Sequence, residues 1–200
     1  MTQSWDQRLA RAAVRPLART AVSPNHVTAL GLVVGLAAAA LFATGSAPAA
    51  DVGAALFMLY LLIDHADGEL ARLTGKATPS GQRFDSLGGA VITTTLFVGL
   101  GVGLSERPLG AWALALGLAA GLANIPITAV RLQMRRRFGS QAVAHPGRFG
   151  VEIEDFLYLI GPATWLGALP YFLVLFGLGT FGYLGWIVRE FLRRSASPGP

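Results

Sequence analysis

The chain has 200 residues, of which 53% are hydrophobic and only 14% are charged, and its formal net charge is +5. A soluble domain usually carries about a quarter charged residues, so this composition is typical of an integral membrane protein. The chain contains no cysteine, which excludes disulfides, thiolate nucleophiles and cysteine-ligated zinc sites and leaves oxygen or imidazole ligands for any metal.

The first segment of the chain is rich in arginine. Arginines recur along residues 1–25 among apolar side chains, which predicts an amphipathic helix lying at the membrane interface. In this helix we expect the arginines to face water while Trp5 and Leu17 face lipid. Ser23 or Asn25 is then predicted to cap the first membrane span.

Six apolar segments follow, and a membrane-spanning helix needs roughly 20 mostly apolar residues. The candidate spans are residues 26–46, 49–66, 86–104, 109–131, 154–169 and 171–188. Pro170 lies between the last two and favours a helical hairpin over one long helix. We therefore predict an all-α integral membrane protein with six transmembrane helices. It forms a single domain over residues 1–200, with the interfacial helix at 1–25 and a flexible tail at 195–200.

The basic residues predict the orientation of these spans. With six spans, both termini and the connections at 67–85 and 132–153 lie on one side of the membrane. That side holds every one of the 16 Lys and Arg residues except Arg107. The positive-inside rule then places both termini in the cytoplasm, as in a multi-pass protein of a bacterial inner membrane. Such a basic face attracts anionic lipids, so we expect membrane lipids as partners and no nucleic acid.

Three aspartates border the apolar segments at this cytoplasmic side. Asp64 and Asp67 are three residues apart and share a helix face, and Asp85 is predicted to begin the next helix, after a loop that contains Gly81. An antiparallel helix pair brings the three acids together. Converging carboxylates repel one another unless a cation lies between them, and oxygen ligands suit Mg²⁺ or Mn²⁺. With Arg72 nearby, the pattern predicts metal-assisted phosphoryl transfer at the membrane surface.

Two other interpretations of these charges are open. The acids can pair with Arg72, Lys76 and Arg83 in an interfacial charge network, although ionisable residues that border the membrane interior are often functional. A transporter or channel is a further alternative, but its polar groups are expected throughout the spans, whereas here they collect at one face.

The acids belong to a longer motif with fixed spacing. The pattern D-x2-D-G-x2-A-R-x8-G-x3-D is met by Asp64, Asp67, Gly68, Ala71, Arg72, Gly81 and Asp85. It resembles the signature of the CDP-alcohol phosphotransferase family, and the stretch SPNHVT at 23–28 resembles the PNxxT start of that family's first span. The resemblance implies six transmembrane helices, a homodimer and a cytoplasm-facing cavity. Its members transfer a phospho-alcohol from a CDP-linked lipid donor, often CDP-diacylglycerol, to a hydroxyl acceptor and release CMP.

The resemblance also implies roles for individual residues. It makes Asp64, Asp67 and Asp85 the catalytic aspartates that bind the divalent metals. It also implies that a second set of residues binds the CDP portion: Gly68, Ala71, Arg72 and Gly81. Beyond the motif, the arginines that follow the fourth span suit an anionic acceptor or a lipid phosphate, although some of them serve only as positive-inside anchors. The candidates for this contact are Arg131, Arg135 and Arg148.

The sequence departs from the family signature at one position. The signature carries a fourth aspartate, a metal ligand and the expected general base, where this chain has Gly89. General-base help is typically worth about 10²–10⁴-fold in rate. Three explanations are open: the chain is a non-catalytic relative that binds a CDP-linked lipid or a partner, its acceptor is already ionised, or another side chain substitutes. The candidate substitutes are Glu152 and Asp155, near the start of the fifth span.

Overall fold

The structure is a computed structural model that describes residues 5–139 and 153–196, without the side chains of residues 5, 6 and 153–155. These residues form helices and turns, with no strand in the described ranges. In these two described ranges, seven α-helices and two 3-10 helices occur in chain order. They are α1 Trp5–Val14, the 3-10 helix Leu17–Arg19, α2 Pro24–Ala43, α3 Ala47–Thr74, α4 Pro79–Gly103, α5 Ala111–Phe138, the 3-10 helix Ile153–Leu159, α6 Ile160–Trp165 and α7 Leu169–Ala196.

Five of the described helices are long and apolar enough to cross a membrane: α2, α3, α4, α5 and α7. Each has between 20 and 28 residues, which matches the thickness of a bilayer core. Their outer surfaces carry large apolar side chains, and Leu30, Val33 and Leu175 are each more than half exposed. Apolar side chains on the outside of a helix bundle are expected where lipid is the solvent. The prediction of an all-α protein with several membrane helices is confirmed.

The predicted fifth span differs from the other five. Its described part consists of the 3-10 helix Ile153–Leu159 and the six-residue α6, and neither is long enough to cross a membrane by itself. The helix ends at Trp165 because Gly167 takes a positive φ of 70° and reverses the chain ahead of α7. The described residues therefore contain five spanning helices where the sequence predicts six.

The helices that carry the aspartates extend beyond their predicted ends. α3 continues to Thr74, and Gly75 ends it in the left-handed conformation at φ 65°. α4 begins at Pro79 and not at Asp85, so the prediction that Gly81 lies in a loop was wrong. The early start has a local cause, because Pro79 occupies the first helical turn and Thr78 Oγ1 accepts a hydrogen bond from the Gly81 amide at 3.0 Å.

The helix in the N-terminal segment is shorter than predicted. α1 ends at Val14, and only the 3-10 helix Leu17–Arg19 continues it before α2. One face of α1 is buried, since Ala10 and Val14 pack with Ala66 and Leu70 of α3. This face therefore contacts protein.

The start of α2 confirms one of the two predicted caps. The Ser23 hydroxyl accepts a hydrogen bond from the His26 amide, and the His26 ring accepts one from the Ser23 amide. This reciprocal pair satisfies two of the free amides at the helix start.

The bundle is organised around α2, which packs against both α3 and α4. The contacts between α3 and α4 themselves are far fewer, although these helices are joined by a short connection. α5 packs on α4, and α7 packs on α5. The central core contains Phe57, Ile92, Leu96 and Phe97, all essentially inaccessible to solvent. Deeper into the bundle α2, α3 and α4 share this core, while towards Thr74 and Pro79 a gap opens between α3 and α4.

The ends of the helices can be assigned by their contacts. The short connections make α2, α3, α4 and α5 successively antiparallel. α7 runs in the same direction as α5. Leu116 lies against Gly177 in the first halves of the two helices, and Met134 packs with Ile187 in their second halves. The C-terminal ends of α3, α5 and α7 therefore lie at one end of the bundle, together with the starts of α2 and α4.

Candidate functional site

A small cavity lies at this end of the bundle, in the gap between α3 and α4. α2 forms its floor. The cavity holds little more than one water-sized sphere, which is enough for an ion and its closest ligands but not for a nucleotide. All three predicted aspartates line it. The lining residues are Thr28, Gly31, Leu32, Tyr60, Asp64, Asp67, Asp85, Gly88 and Gly89.

Asp67 is the most buried of the three acids, with 5% of its surface exposed. A buried carboxylate is costly unless its oxygens are hydrogen-bonded, and the Thr28 hydroxyl of α2 donates to Asp67 Oδ2. Thr28 is itself buried. Asp85, on α4, lies near enough for its charge to act on Asp67. The two acids therefore repel one another across the gap between the helices.

Asp64 is held by a second hydroxyl. Tyr60 lies one turn earlier on α3, and its hydroxyl donates to Asp64 Oδ1 at 3.4 Å. Tyr60 is only 6% exposed. Both signature aspartates of α3 therefore have a buried hydroxyl partner in the cavity wall.

The donor set fits a hard divalent cation in chemistry. Mg²⁺ and Mn²⁺ are bound through oxygen, and Mg²⁺ commonly takes one or two carboxylates and completes its shell with water and phosphate. In the described part of the chain, however, no three His, Asp or Glu side chains already converge into a metal-binding group. The three carboxylates share a cavity, and the remaining ligands of an ion there have to come from water or substrate.

Gly89 faces the same cavity. A Cβ atom built at this position meets a single neighbour within 4 Å, the Tyr60 hydroxyl at 3.7 Å, which is an ordinary contact distance. Packing therefore does not require glycine here. The position at which the family signature carries its fourth aspartate points into the site, and the side chain that approaches it is Tyr60.

The predicted CDP-binding residues lie on α3 and α4 beside the cavity. Arg72 is largely exposed, and its guanidinium lies over Gly68, with both terminal nitrogens 3.5 Å from a Cβ atom built there. Glu69 fixes this arginine, because Arg72 Nη2 donates to Glu69 Oε1 at 2.7 Å and Glu69 is only 2% exposed. Ala71 precedes Arg72 on the same helix.

Gly81 has a packing role that the motif alone does not reveal. A Cβ atom built at Gly81 lies 3.1 Å from Asn25 Oδ1 and 3.1 Å from Thr78 Oγ1. This distance is tighter than an ordinary contact, so glycine allows the start of α4 to approach the start of α2.

One of the predicted acceptor-binding arginines reaches the site. Arg135 of α5 donates from Nη1 to Ser86 Oγ at 3.0 Å, next to Asp85 on α4. Arg131 lies one turn earlier on α5 and is half-buried. Arg148 and Glu152 lie outside the described residues, as does the side chain of Asp155, so their predicted roles stay predictions.

Sequence reasoning missed three residues of the site: Thr28, Tyr60 and Glu69. Two of them had a local signal. Tyr60 precedes Asp64 by one helical turn, and Glu69 precedes Arg72 by three residues, spacings at which side chains meet on a helix. Thr28 had only its place in the SPNHVT stretch, because its contact with Asp67 depends on the packing of α2 against α3.

The sequence model of CDP-alcohol phosphatidyltransferases matches residues 21–189. The chain therefore belongs to the CDP-alcohol phosphatidyltransferase family. No curated protein sequence matches it significantly.

Two solved structures share the fold. Both are of the Mycobacterium tuberculosis phosphatidylinositol phosphate synthase PgsA1. The one with CDP-DAG bound has a TM-score of 0.73 at 21% identity and covers 96% of each chain. The one in complex with manganese and citrate has a TM-score of 0.68 at 22% identity and covers 97% of this chain and 90% of that one. At this level of identity the likeness establishes the fold.

Proposed function

We propose that the protein transfers a phospho-alcohol group, of the phosphatidyl type, from a CDP-linked lipid donor such as CDP-diacylglycerol to a hydroxyl or anionic acceptor, with release of CMP. One observation carries the proposal: the three signature aspartates come from two helices with little mutual contact and still line one cavity. Family membership gives the class of reaction. The CDP-DAG seen in the fold neighbour supports a CDP-linked lipid as donor.

The metal is Mg²⁺ or Mn²⁺, held by Asp64, Asp67 and Asp85. When bound, the ion neutralises the charge that accumulates on the diphosphate and on the departing CMP. Manganese in the fold neighbour supports this choice. The chain's own contribution is to hold two of the acids by the hydroxyls of Thr28 and Tyr60.

The donor lies at the mouth of the cavity and not inside it, because the cavity holds little more than an ion. Arg72, near the C-terminal end of α3, is largely exposed and is paired with Glu69, and we assign its guanidinium to the diphosphate. Gly68 leaves room for the donor beside the arginine, and Ala71 and Gly81 complete this surface. The small side chains suit a ligand that approaches the helix backbone closely.

The acceptor binds on the α4–α5 side of the cavity. Arg135 is already beside Asp85 through its hydrogen bond to Ser86, and Arg131 extends the positive charge one turn further. An acceptor that carries a phosphate or carboxylate is favoured by this charge. We assign Arg148 to the same contact.

Gly89 supports a second candidate function. Its position lines the cavity and lacks the carboxylate of the family signature, so a non-catalytic protein that binds a CDP-linked lipid or a partner is the alternative. If the protein turns over, the proton of the acceptor is taken by a substitute such as Glu152 or Asp155, or the acceptor is already ionised.

We further propose six membrane crossings with both termini and the site in the cytoplasm. α5 ends at the site end of the bundle and α7 begins at the opposite end, so the chain crosses once more between Phe138 and Leu169. The described part of that crossing lies against α3, where Gly161 approaches Met58. The α1 segment lies at the cytoplasmic interface, and the protein is a homodimer of a bacterial inner membrane.

The test uses purified protein in detergent with Mn²⁺ and CDP-diacylglycerol, and it measures CMP release over a panel of acceptors. We expect wild-type turnover that is lost in Asp67→Asn, and no loss in Glu190→Gln, which changes an acid near the C-terminal end of α7 that does not line the cavity. A wild type that binds CDP with Mn²⁺ but releases no CMP, while Gly89→Asp does, favours the non-catalytic alternative. Absence of both binding and turnover contradicts the proposal.

A further inference from the structure

The cavity wall contains two hydroxyls to which the aspartate signature gives no role, those of Thr28 and Tyr60, and the Tyr60 hydroxyl is the one beside Gly89. Tyr60 lies on the same face of α3 as Asp64 and Asp67, four and seven residues ahead of them. Its ring is fixed by its neighbours: the Phe57 ring centroid is 5.4 Å away, and Gly31 of α2 lies against the ring edge. A buried ring packed in this way holds its hydroxyl at a defined place in the cavity wall.

That place coincides with the space beside Gly89. Among the described residues outside the neighbouring turns of α4, this hydroxyl is the one atom within 4 Å of a Cβ atom built at position 89, and an aspartate there would extend its carboxylate further into the same space. The same hydroxyl donates to Asp64 Oδ1 at 3.4 Å. Tyr60 therefore connects Asp64 on α3 with the position on α4 from which the signature carboxylate is missing.

We propose that Tyr60 is a positioning residue that takes over part of the role of the missing fourth aspartate. This inference rests on the proposed function. The Tyr60 hydroxyl orients Asp64 for the metal, and its oxygen lies on the side of Gly89. A phenol cannot replace the negative charge of a carboxylate, but it supplies a polar oxygen at the same end of the cavity.

The test measures the Mn²⁺ dissociation constant of the purified protein by electron paramagnetic resonance. Loss of a group that orients a metal ligand typically weakens metal binding about 10–100-fold, and we expect this of Tyr60→Phe. Phenylalanine preserves the ring and its packing on Phe57. Tyr183→Phe is the matched control, because it removes the same atom from a tyrosine on α7 that packs with Ile187, and its Mn²⁺ affinity should equal that of wild type.

A double variant separates the positioning role from a general effect on folding. Adding Gly89→Asp to Tyr60→Phe should restore most of the lost Mn²⁺ affinity, since the new carboxylate enters the space that the hydroxyl leaves. Gly89→Asp alone should increase affinity by a smaller factor, because the hydroxyl still occupies that space. Two groups in contact are expected to show such non-additivity.

The outcomes distinguish this inference from the proposed function. If wild type binds Mn²⁺ and Tyr60→Phe binds it equally well, or if the two substitutions have independent effects, the role of Tyr60 is refuted and the proposed function stands. If wild type binds no Mn²⁺, both are refuted.

Discussion

Glu69 is an acid without a position in the family signature, yet it is more deeply buried than any of the three signature aspartates. It is 2% exposed and accepts a hydrogen bond from Arg72 at 2.7 Å, while the Arg72 side chain is 62% exposed. The buried Glu69 carboxylate therefore holds the exposed guanidinium of Arg72 in place. An anchored guanidinium loses less conformational freedom when it binds a diphosphate, which preserves affinity.

Replacing Glu69 by alanine should therefore weaken the binding of CDP in the presence of Mn²⁺. A loss of about fivefold is expected, since a typical hydrogen bond contributes about 1 kcal/mol. Isothermal titration of the purified variant measures it. Glu69→Gln keeps an oxygen that accepts from Arg72 and should lose less.

The matched control for this prediction is Glu190→Ala, which removes an acid that pairs with Arg193 and Arg194 at the end of α7. Glu190 and its two arginine partners lie near the C-terminal end of α7 and do not line the cavity, so CDP affinity should not change. An equal loss of affinity in both variants would show that Glu69 has no specific role.

At the residue scale, the sequence predicted the acids better than their partners. Asp64, Asp67 and Asp85 line one cavity as the spacing indicated, because residues three apart share a helix face and the short connection returns α4 alongside. Thr28 is different: its contact with Asp67 joins residues 39 positions apart, and no local pattern specifies such a pair. His65 lies between the two acids in sequence but does not line the cavity, and its ring nitrogen lies 2.8 Å from the Leu61 carbonyl oxygen.

Among the elements, α4 and α5 approach each other closely through glycine, and one substitution can test this contact. A Cβ atom built at Gly101 lies 2.8 Å from the Ala113 carbonyl oxygen and 3.1 Å from Gly117 Cα. Both neighbours are backbone atoms of α5, so they cannot move aside as a side chain can. Close approach through small residues is how helices pack within membranes.

Gly101→Ala should therefore destabilise the protein. Overpacking a tight contact typically costs about 1–3 kcal/mol, which should appear as a lower midpoint of thermal unfolding in detergent. Gly179→Ala on α7 is the control, because a Cβ atom there meets nothing within 4 Å and alanine favours a helix over glycine. Equal midpoints for the two variants would show that α4 and α5 adjust without cost.

The elements also show where sequence reasoning reached its limit. Hydropathy located α2, α3, α4, α5 and α7, since each is a long apolar segment, but it placed their ends at the edge of the apolar run. Backbone hydrogen bonding continues a helix past that edge, as in α3, until a residue such as Gly75 ends it. The start of α4 was readable from Thr78 and Pro79, a cap followed by proline, and was overlooked because those residues are polar.

For the whole molecule, the arrangement of helix ends gives a prediction about topology that the charge distribution alone cannot give. Lys76 follows the C-terminal end of α3, and Arg194 lies in the last turn of α7. Both residues are at the site end of the bundle. Glu106 lies between α4 and α5 at the opposite end. All three are exposed.

Because the chain contains no cysteine, single cysteines can report these positions in intact cells. Glu106→Cys should react with a membrane-impermeant maleimide from outside, whereas Lys76→Cys and Arg194→Cys should react only after permeabilisation. If Arg194→Cys reacts from outside while Lys76→Cys does not, six crossings are contradicted, because that result would require an odd number of crossings between the two sites. Labelling of all three after permeabilisation is the control for reactivity.

The position of α2 between the two acid-bearing helices has a consequence for how this site can change. The distance that separates the α3 carboxylates from the α4 carboxylate is set by side chains of a helix that carries no acidic residue. Gly31 and Gly35 of α2 lie against Ile63 and Ile92 on those helices, so a larger residue at either position would widen the gap without altering a ligand. Selection for a cation of different radius, or for a bulkier substrate, can therefore act on a helix that carries none of the three acids.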